Sequence, residues 1–345
     1  MFQTRRISRV RVLQFAVATA LPATLWGFVV FVLYAIVGLD FLRVPFLPVA
    51  TIGTAVAFYV GFKNNASYDR FWEGRKIWGG VVNTSRSWAV AVLSYVDASG
   101  ENPDTAATKR ELVYRHLAWT NALRLQLRRS SRFFHQPSRG TKRRLDRHDD
   151  HMRNDWNTEI APFLDPEELA EVTPKVNPAT HLVATQGQQL AQLVEHGRLD
   201  MFRQIEMMAL LTELYTLQGK CERIKNTPFP RQYAEYSRIF TRVFVFLVPL
   251  GMLDVFGDHI RQAQDLATTR DAWPYVVPML LACTLVSWVF LTMEGIGDSS
   301  EDPFERSMND VPMNALCIAI ERDLRELLGE TELPPKEVAV DGILY

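Results

Sequence analysis

Asn64-Asn65-Ala66-Ser67-Tyr68-Asp69-Arg70-Phe71-Trp72-Glu73-Gly74-Arg75-Lys76-Ile77-Trp78 is dense in aromatic, basic and acidic side chains, and the density continues through Asn83-Thr84-Ser85-Arg86-Ser87-Trp88. The stretch begins directly after an apolar run from Val49 to Phe62. A soluble enzyme has little reason to crowd tryptophan, arginine and carboxylate at the end of so apolar a helix. The abrupt change marks a segment that leaves hydrocarbon and enters water.

Working outward, the same contrast recurs. Arg5, Arg6, Arg9 and Arg11 precede Leu13 to Leu39, which is almost free of charge. At about 27 residues this run exceeds a signal-peptide core and suffices to cross a bilayer. A short connection, Asp40 to Pro48, leads into the second run, ending at Phe62. A third run spans Val243 to Val255, preceded by Arg238 and Arg242, and a fourth spans Trp273 to Met293 without a charge. Four membrane helices are therefore predicted, with Trp26, Trp273 and Trp288 as candidate interface residues. Lys and Arg favour the cytoplasmic flank. The N-terminal arginines, the group Lys63, Arg70, Arg75 and Lys76, and the group Arg231, Arg238 and Arg242 then all lie inside. Asp254 to Asp271 is the more acidic connection and suits the outside. One topology satisfies all of these: a multi-pass membrane protein with both termini cytoplasmic.

The middle of the chain reads as mostly helical. Val113, Leu117, Leu123 and Leu127 form a helix-period stripe, and Met201, Ile205, Met208, Leu211, Leu214 and Leu217 form another. Asp165 before Pro166-Glu167-Glu168 is a candidate helix N-cap. No stretch shows convincing strand alternation, and no internal repeat is visible. Residues 130 to 155 form a basic, Ser/Pro/Gly-containing loop that reads as a solvated segment, with anionic headgroups or nucleic acid as the lesser alternative. The formal net charge of −1 over 345 residues argues against a strongly basic nucleic-acid binder, and no nucleic-acid partner is expected. Cys221, Cys283 and Cys317 are far apart and odd in number, which favours buried thiols over a disulfide or zinc framework. His148-Asp149-Asp150-His151 has no supporting ligands nearby. Dinucleotide-, phosphate-, zinc-protease and nucleophile-elbow motifs do not occur in the chain. No catalytic residue, cofactor or metal is assigned, and the protein is not read as an enzyme.

The segment Phe62-Lys63-Asn64-Asn65-Ala66-Ser67-Tyr68-Asp69-Arg70-Phe71-Trp72-Glu73, followed by Asn83-Thr84-Ser85-Arg86, resembles the signature of the bestrophin family in its bacterial branch. Asn121-Ala122-Leu123-Arg124, Glu222-Arg223-Ile224-Lys225-Asn226-Thr227-Pro228, Asn309-Asp310-Val311-Pro312, Leu333-Pro334-Pro335 and Asp341-Gly342-Ile343-Leu344 are similar to later family segments. The resemblance implies an all-α membrane protein with four transmembrane helices per subunit and a large helical cytosolic region. It also implies assembly as a homo-pentameric channel around a central pore. On this reading residues 1–62 hold the N-terminal segment and the first two spans, with the pore-lining helix at about 44–62. Residues 63–235 form the cytosolic helical region, 236–295 the third and fourth spans, and 296–345 a cytosolic C-terminal segment. Permeant small ions, membrane lipid and four further copies of the chain are the expected partners.

Thr54, Phe58 and Phe62 share one helix face, and Gly53, Ala57 and Gly61 border it, where close helix packing needs small residues. From periodicity alone the two phenyls read first as lipid-facing or core residues. The resemblance assigns the triplet to the family's hydrophobic pore neck, with Thr54 where an aliphatic residue is usual. It likewise implies a cytosolic aperture at Ile205, a position that equally suits the core stripe of its own helix. Asp69, Arg70, Trp72, Glu73 and Arg75 are expected to scaffold the pore base through intrahelical and intersubunit ion pairs. Animal relatives hold calcium in an acidic run after the fourth helix. Here Asp298, Glu301, Asp302 and Glu305 are interrupted, and no functional calcium clasp is expected. A phenyl edge carries partial positive charge, so the neck favours anions of the chloride type. A sodium-conducting relative and a membrane-anchored cytosolic binding or signalling protein without a pore are the alternatives.

Overall fold

The computed structural model describes residues 1, 9–98, 103–129, 153–266, 273–305, 309–340 and 342–345. Most of the basic loop, with the His148 to His151 run, lies outside the described residues. The described chain is helical: α1 (Arg9–Ala35), a 3-10 turn (Asp40–Leu42), α2 (Phe46–Tyr95), α3 (Thr105–Arg128), α4 (Trp156–Ile160), a second 3-10 turn (Ala161–Phe163), α5 (Pro166–Val172), α6 (Pro178–Glu195), α7 (Met201–Asn226), α8 (Arg231–Leu266), α9 (Trp273–Ser300) and α10 (Met313–Leu327). Among the described residues, β structure is limited to one bridge between Val340 and Ile343.

Helix α2 does not stop where the charges begin. It runs unbroken for 50 residues, although only about 20 are needed to cross a bilayer. The reason is a single buried stripe at spacings of three and four. Gly53, Val56, Val60, Lys63 and Ser67 lie on it, and Gly74, Ile77, Val81, Ser85, Trp88 and Val92 carry it on. Apart from Lys63, the charged residues lie on the other faces, so the charged stretch changes the solvent and leaves the helix intact.

The chain divides into two compact units. One comprises Thr4–Asp69 with Phe229–Glu301 and holds α1, the first part of α2, α8 and α9. These four helices are long and apolar enough to cross a membrane. Helices α1, α8 and α9 pack pairwise, and Val49, Val56 and Val60 of α2 join Phe244 and Val248 of α8 in the core. Gly53 lets the Phe244 ring approach so closely that an added Cβ would lie 2.6 Å from it. Trp26 stacks on Phe246 at 4.8 Å and donates to its carbonyl, an exposed contact between α1 and α8 that its sequence context did not signal. Pro22 and Pro249 sit within α1 and α8 without ending them, as spanning helices tolerate.

The other unit comprises Met1–Gln3, Arg70–Pro228 and Asp302–Tyr345. Helix α3 is buried almost all round, so it forms the centre of this unit, with α6, α7 and α10 packed about it. Trp78, Trp88 and Trp119 are fully buried there, and each such side chain contributes several kcal/mol, on the order of 3–5 judged by truncation. Their indoles need partners: Trp119 donates to Gln218 at 3.1 Å and Trp88 to the Leu112 carbonyl at 3.4 Å. His116 lies between Trp88 and Trp119, and burial pushes its imidazole down to about 3. Asp155 and Asn177 cap α4 and α6 through their side chains. Asp165 stands at the start of α5, but its side chain makes no capping bond, contrary to the sequence expectation.

Candidate functional site

Thr54, Phe58 and Phe62 emerge on one exposed face of α2, which no element covers among the described residues of the unit. Phe58 is 66% exposed and Phe62 69%. The opposite face, Val56, Val60 and Lys63, is buried, so the phenyls point away from the bundle core. Thr54 Oγ1 donates to the Ala50 carbonyl at 3.1 Å, which leaves its lone pairs available to solvent. On the flank, Tyr59 stacks on Tyr233 at 6.0 Å and meets Phe240 edge-on at 5.5 Å. Of the three small residues expected to permit close packing, Gly53 alone does so within the chain. Ala57 is exposed, and a Cβ on Gly61 would meet nothing within 4 Å.

Ile205 lies in the second turn of α7 and is 61% exposed. The core stripe of α7 is Met207, Leu211, Leu214, Leu217, Cys221 and Ile224. Met201, Ile205 and Met208, read from the sequence as part of that stripe, instead face outward. Spacing alone did not separate them, because α7 is apolar on two faces near its start. The start itself is built firmly. Asp200 caps it by accepting from Phe202 N at 2.9 Å. Just before it, Arg198 grips Asp97 with bonds of 2.7 and 3.1 Å and also reaches Thr108 at 2.7 Å. The Arg198 guanidinium holds the Asp97 carboxyl below the usual carboxylate range. Arg203, half-buried, lies over the Tyr95 ring at 5.0 Å, which places a cation two residues before Ile205.

Of the charged residues after Phe62, Lys63, Arg70 and Glu73 pair with distant elements of the chain. Arg70 donates to the carbonyls of Ile224 at 2.5 Å and Thr227 at 2.7 Å, and to Asp302 at 3.3 Å. It thereby satisfies the orphan carbonyls at the α7 C-terminus, where positive charge also complements the helix dipole. Glu73 accepts from Arg223 at 2.5 Å. Gly74 sits beneath Pro303 and Phe304. Asp69 and Trp72 are exposed, Arg75 is half-buried and Trp78 is fully buried. Lys63, which the sequence placed among the solvated basic flanks, is buried and bonded to Glu294 and Asp298. The four carboxylates in the last turn of α9 and just beyond it each face a basic group: Asp298 faces Lys63, Glu301 Arg231, Asp302 Arg70 and Glu305 Lys225. Among the described residues no cluster of His, Cys, Asp or Glu could hold a metal ion.

The separated sequence segments also meet one another. Arg124 donates to Asn121 at 3.0 Å, Glu159 at 2.6 Å, Asn314 at 2.6 Å and the Arg153 carbonyl at 2.8 Å, all deep in the core. Arg115 is held in the same manner by Glu111, Glu168 and Gln189. A charge in an interior is retained only with such partners. The Glu159 and Arg115 contacts were missed from sequence, because a buried arginine is indistinguishable there from a surface one.

A family model described as "Bacterial/Fungal Bestrophin protein" matches residues 1–326. The voltage-dependent anion channel-forming protein YneE of Escherichia coli is 28% identical over 303 residues, 88% of this chain and 82% of that protein. A voltage-dependent anion channel-forming protein of Ralstonia nicotianae is 29% identical over 297 residues, 86% of this chain and 82% of its own. The crystal structure of a bacterial bestrophin homologue from Klebsiella pneumoniae superposes with a TM-score of 0.71 at 24% identity, covering 92% of this chain and 99% of that one.

Proposed function

The chain belongs to the bacterial and fungal bestrophin family, and from that premise we propose that five copies assemble into a channel whose neck is the Thr54, Phe58 and Phe62 face of α2. It is a membrane protein of a channel family and not an enzyme. The carrying observation is the pair of exposed phenyls on a helix whose opposite face is locked in the bundle. Ringed around an axis, ten phenyls form a narrow apolar constriction at which ions must shed water. Their edges favour a chloride-type anion over a cation, in keeping with the anion channel-forming relatives. Ile205 forms a second ring at the cytosolic exit. Asp69, Arg70, Trp72, Glu73 and Arg75 brace the pore base, with Arg70 and Glu73 acting through contacts inside their own subunit. The unit containing α3 to α7 faces the cytoplasm, and both termini lie there in a bacterial inner membrane, as the arrangement of Lys and Arg supports.

Reversal potentials of the reconstituted protein in asymmetric potassium chloride test the sign of the permeant ion. Reversal toward the chloride equilibrium potential supports the reading, and reversal toward the cation potential assigns the pore to the sodium-type alternative. Phe58→Ala combined with Phe62→Ala should raise flux several-fold and weaken the preference for anions. Unchanged flux in an intact assembly would mean that this face does not line the pore.

A further inference from the structure

We infer that Lys63, together with Asn64, sets the rotation of α2 about its own axis and so decides which side chains face the conduction path. The inference rests on the reading of α2 as the pore-lining helix and names the residues that hold its register. Lys63 directly follows Phe62, and 100° per residue turns its side chain away from the phenyl face. Its side chain is 0% exposed, with Nζ 3.3 Å from Glu294 Oε1 and 3.4 Å from Asp298 Oδ1. Glu294 and Asp298 are one turn apart on α9, so they present their carboxylates to one side. Asn64 adds a bond of 3.0 Å to the Met293 carbonyl. It also lies directly over Gly297, where a methyl group would collide with Asn64 Oδ1. Two successive residues of α2 are thus seated in one notch of α9.

The other end of this segment is also held, but differently. Asp254 of α8 accepts the Phe46 N–H at 3.1 Å and pairs with Arg43 at 3.1 Å. Those contacts act near the axis at the helix start and before it, so they fix height more than rotation. The Lys63 contact is off-axis and fixes rotation. An ammonium stripped of partners in an apolar interior costs several kcal/mol, which excludes settings that turn Lys63 into the bundle core or the lipid. A turn of one residue the other way would put Lys63 in place of the Phe62 ring. The pairing with α9 keeps that charge out of the neck and holds the phenyls in it.

Thiol labelling of the reconstituted full-length protein tests this, because Cys221, Cys283 and Cys317 are all buried and give little background. The probe is a water-soluble methanethiosulfonate reagent, applied to Phe62→Cys and to Gly61→Cys; the latter position has open space for a side chain. The ratio of the two labelling rates reads the rotation of α2. Lys63→Met should lower that ratio about tenfold or more, as expected for loss of a buried pair. Gly297→Ala should lower it without altering any charge, and the exchange Lys63→Glu with Glu294→Lys should leave it unchanged. A ratio indifferent to both Lys63→Met and Gly297→Ala overturns the inference, as does an exchange variant that assembles with a collapsed ratio. Should Lys63→Met fail to assemble, Gly297→Ala and the exchange variant decide. If labelling of Phe62→Cys blocks flux but its ratio ignores these changes, the pore reading stands and only the inference falls. If labelling at position 62 leaves flux unaffected, both fall.

Discussion

At Gly53 the absence of a side chain is what brings α2 against α8, since an added Cβ would lie 2.6 and 2.7 Å from two atoms of the Phe244 ring. That ring is itself packed on Phe290 at 4.6 Å and has little room to yield. Gly53→Ala is therefore expected to cost about 1–3 kcal/mol through overpacking, read as a lower melting temperature of the purified assembly. A melting temperature equal to the parent's would show that Phe244 moves freely. One position along, Thr54 makes the opposite kind of contribution. Its hydroxyl bonds only to the Ala50 carbonyl, so Thr54→Val removes no contact between helices. The change should dry the outer ring of the neck, reducing flux several-fold while leaving thermal stability the same. Flux equal to the parent's would place Thr54 outside the constriction.

Among the elements, α7 depends most on its approach. The Asp97–Arg198 pair ties the residues after α2 to the residues before α7, and Asp97 N donates to the Arg198 carbonyl at 2.8 Å. Asp97 is depressed below its unfolded value, near 4. Its contribution is therefore fully present above about pH 4 and is lost as the pH falls through the folded value. Asp97→Asn should cost about 1.5–3 kcal/mol at neutral pH. It should also flatten the acid limb of the stability curve below about pH 4, where the parent loses stability more steeply. Denaturation followed from pH 3 to 7 checks both; parallel acid limbs for the two proteins would mean that Asp97 is not the group lost.

How much of this was legible in the sequence varies by element. The first and fourth spans were legible because long charge-free runs have one good explanation, whereas the second and third runs, Val49 to Phe62 and Val243 to Val255, are shorter than a bilayer and belong to longer helices. The length of α2 was not legible, since the first charges after Phe62 look like an end. The buried stripe that continues through Gly74, Ile77, Val81, Ser85 and Trp88 was the available signal. The α7 stripe was half misread, because apolar spacing does not distinguish a core face from an exposed apolar one. Lys63 was read as a solvated flank, because its partners are 231 and 235 residues away in sequence. Candidate neck residues were visible as one helix face, but only the resemblance gave that face a use.

Taken whole, the subunit leaves more apolar surface uncovered than its own packing requires. Phe58 and Phe62 on α2, and Tyr233, Tyr236, Phe240, Val243 and Phe246 on α8, are all exposed in a single chain. Part of that surface meets lipid in a membrane. The α2 face is different, because its phenyls alternate with Thr54, Ala57 and Gly61 and are followed by charged residues, a sequence suited to a water-filled path. On the reading proposed above, further copies of the chain complete that path. The most direct measurement is electron cryo-imaging of the purified protein in lipid nanodiscs. The account predicts a fivefold particle in which the rings of Phe58 and Phe62 face the symmetry axis; a monomeric or dimeric particle, or an α2 turned so that these phenyls face lipid, would contradict it.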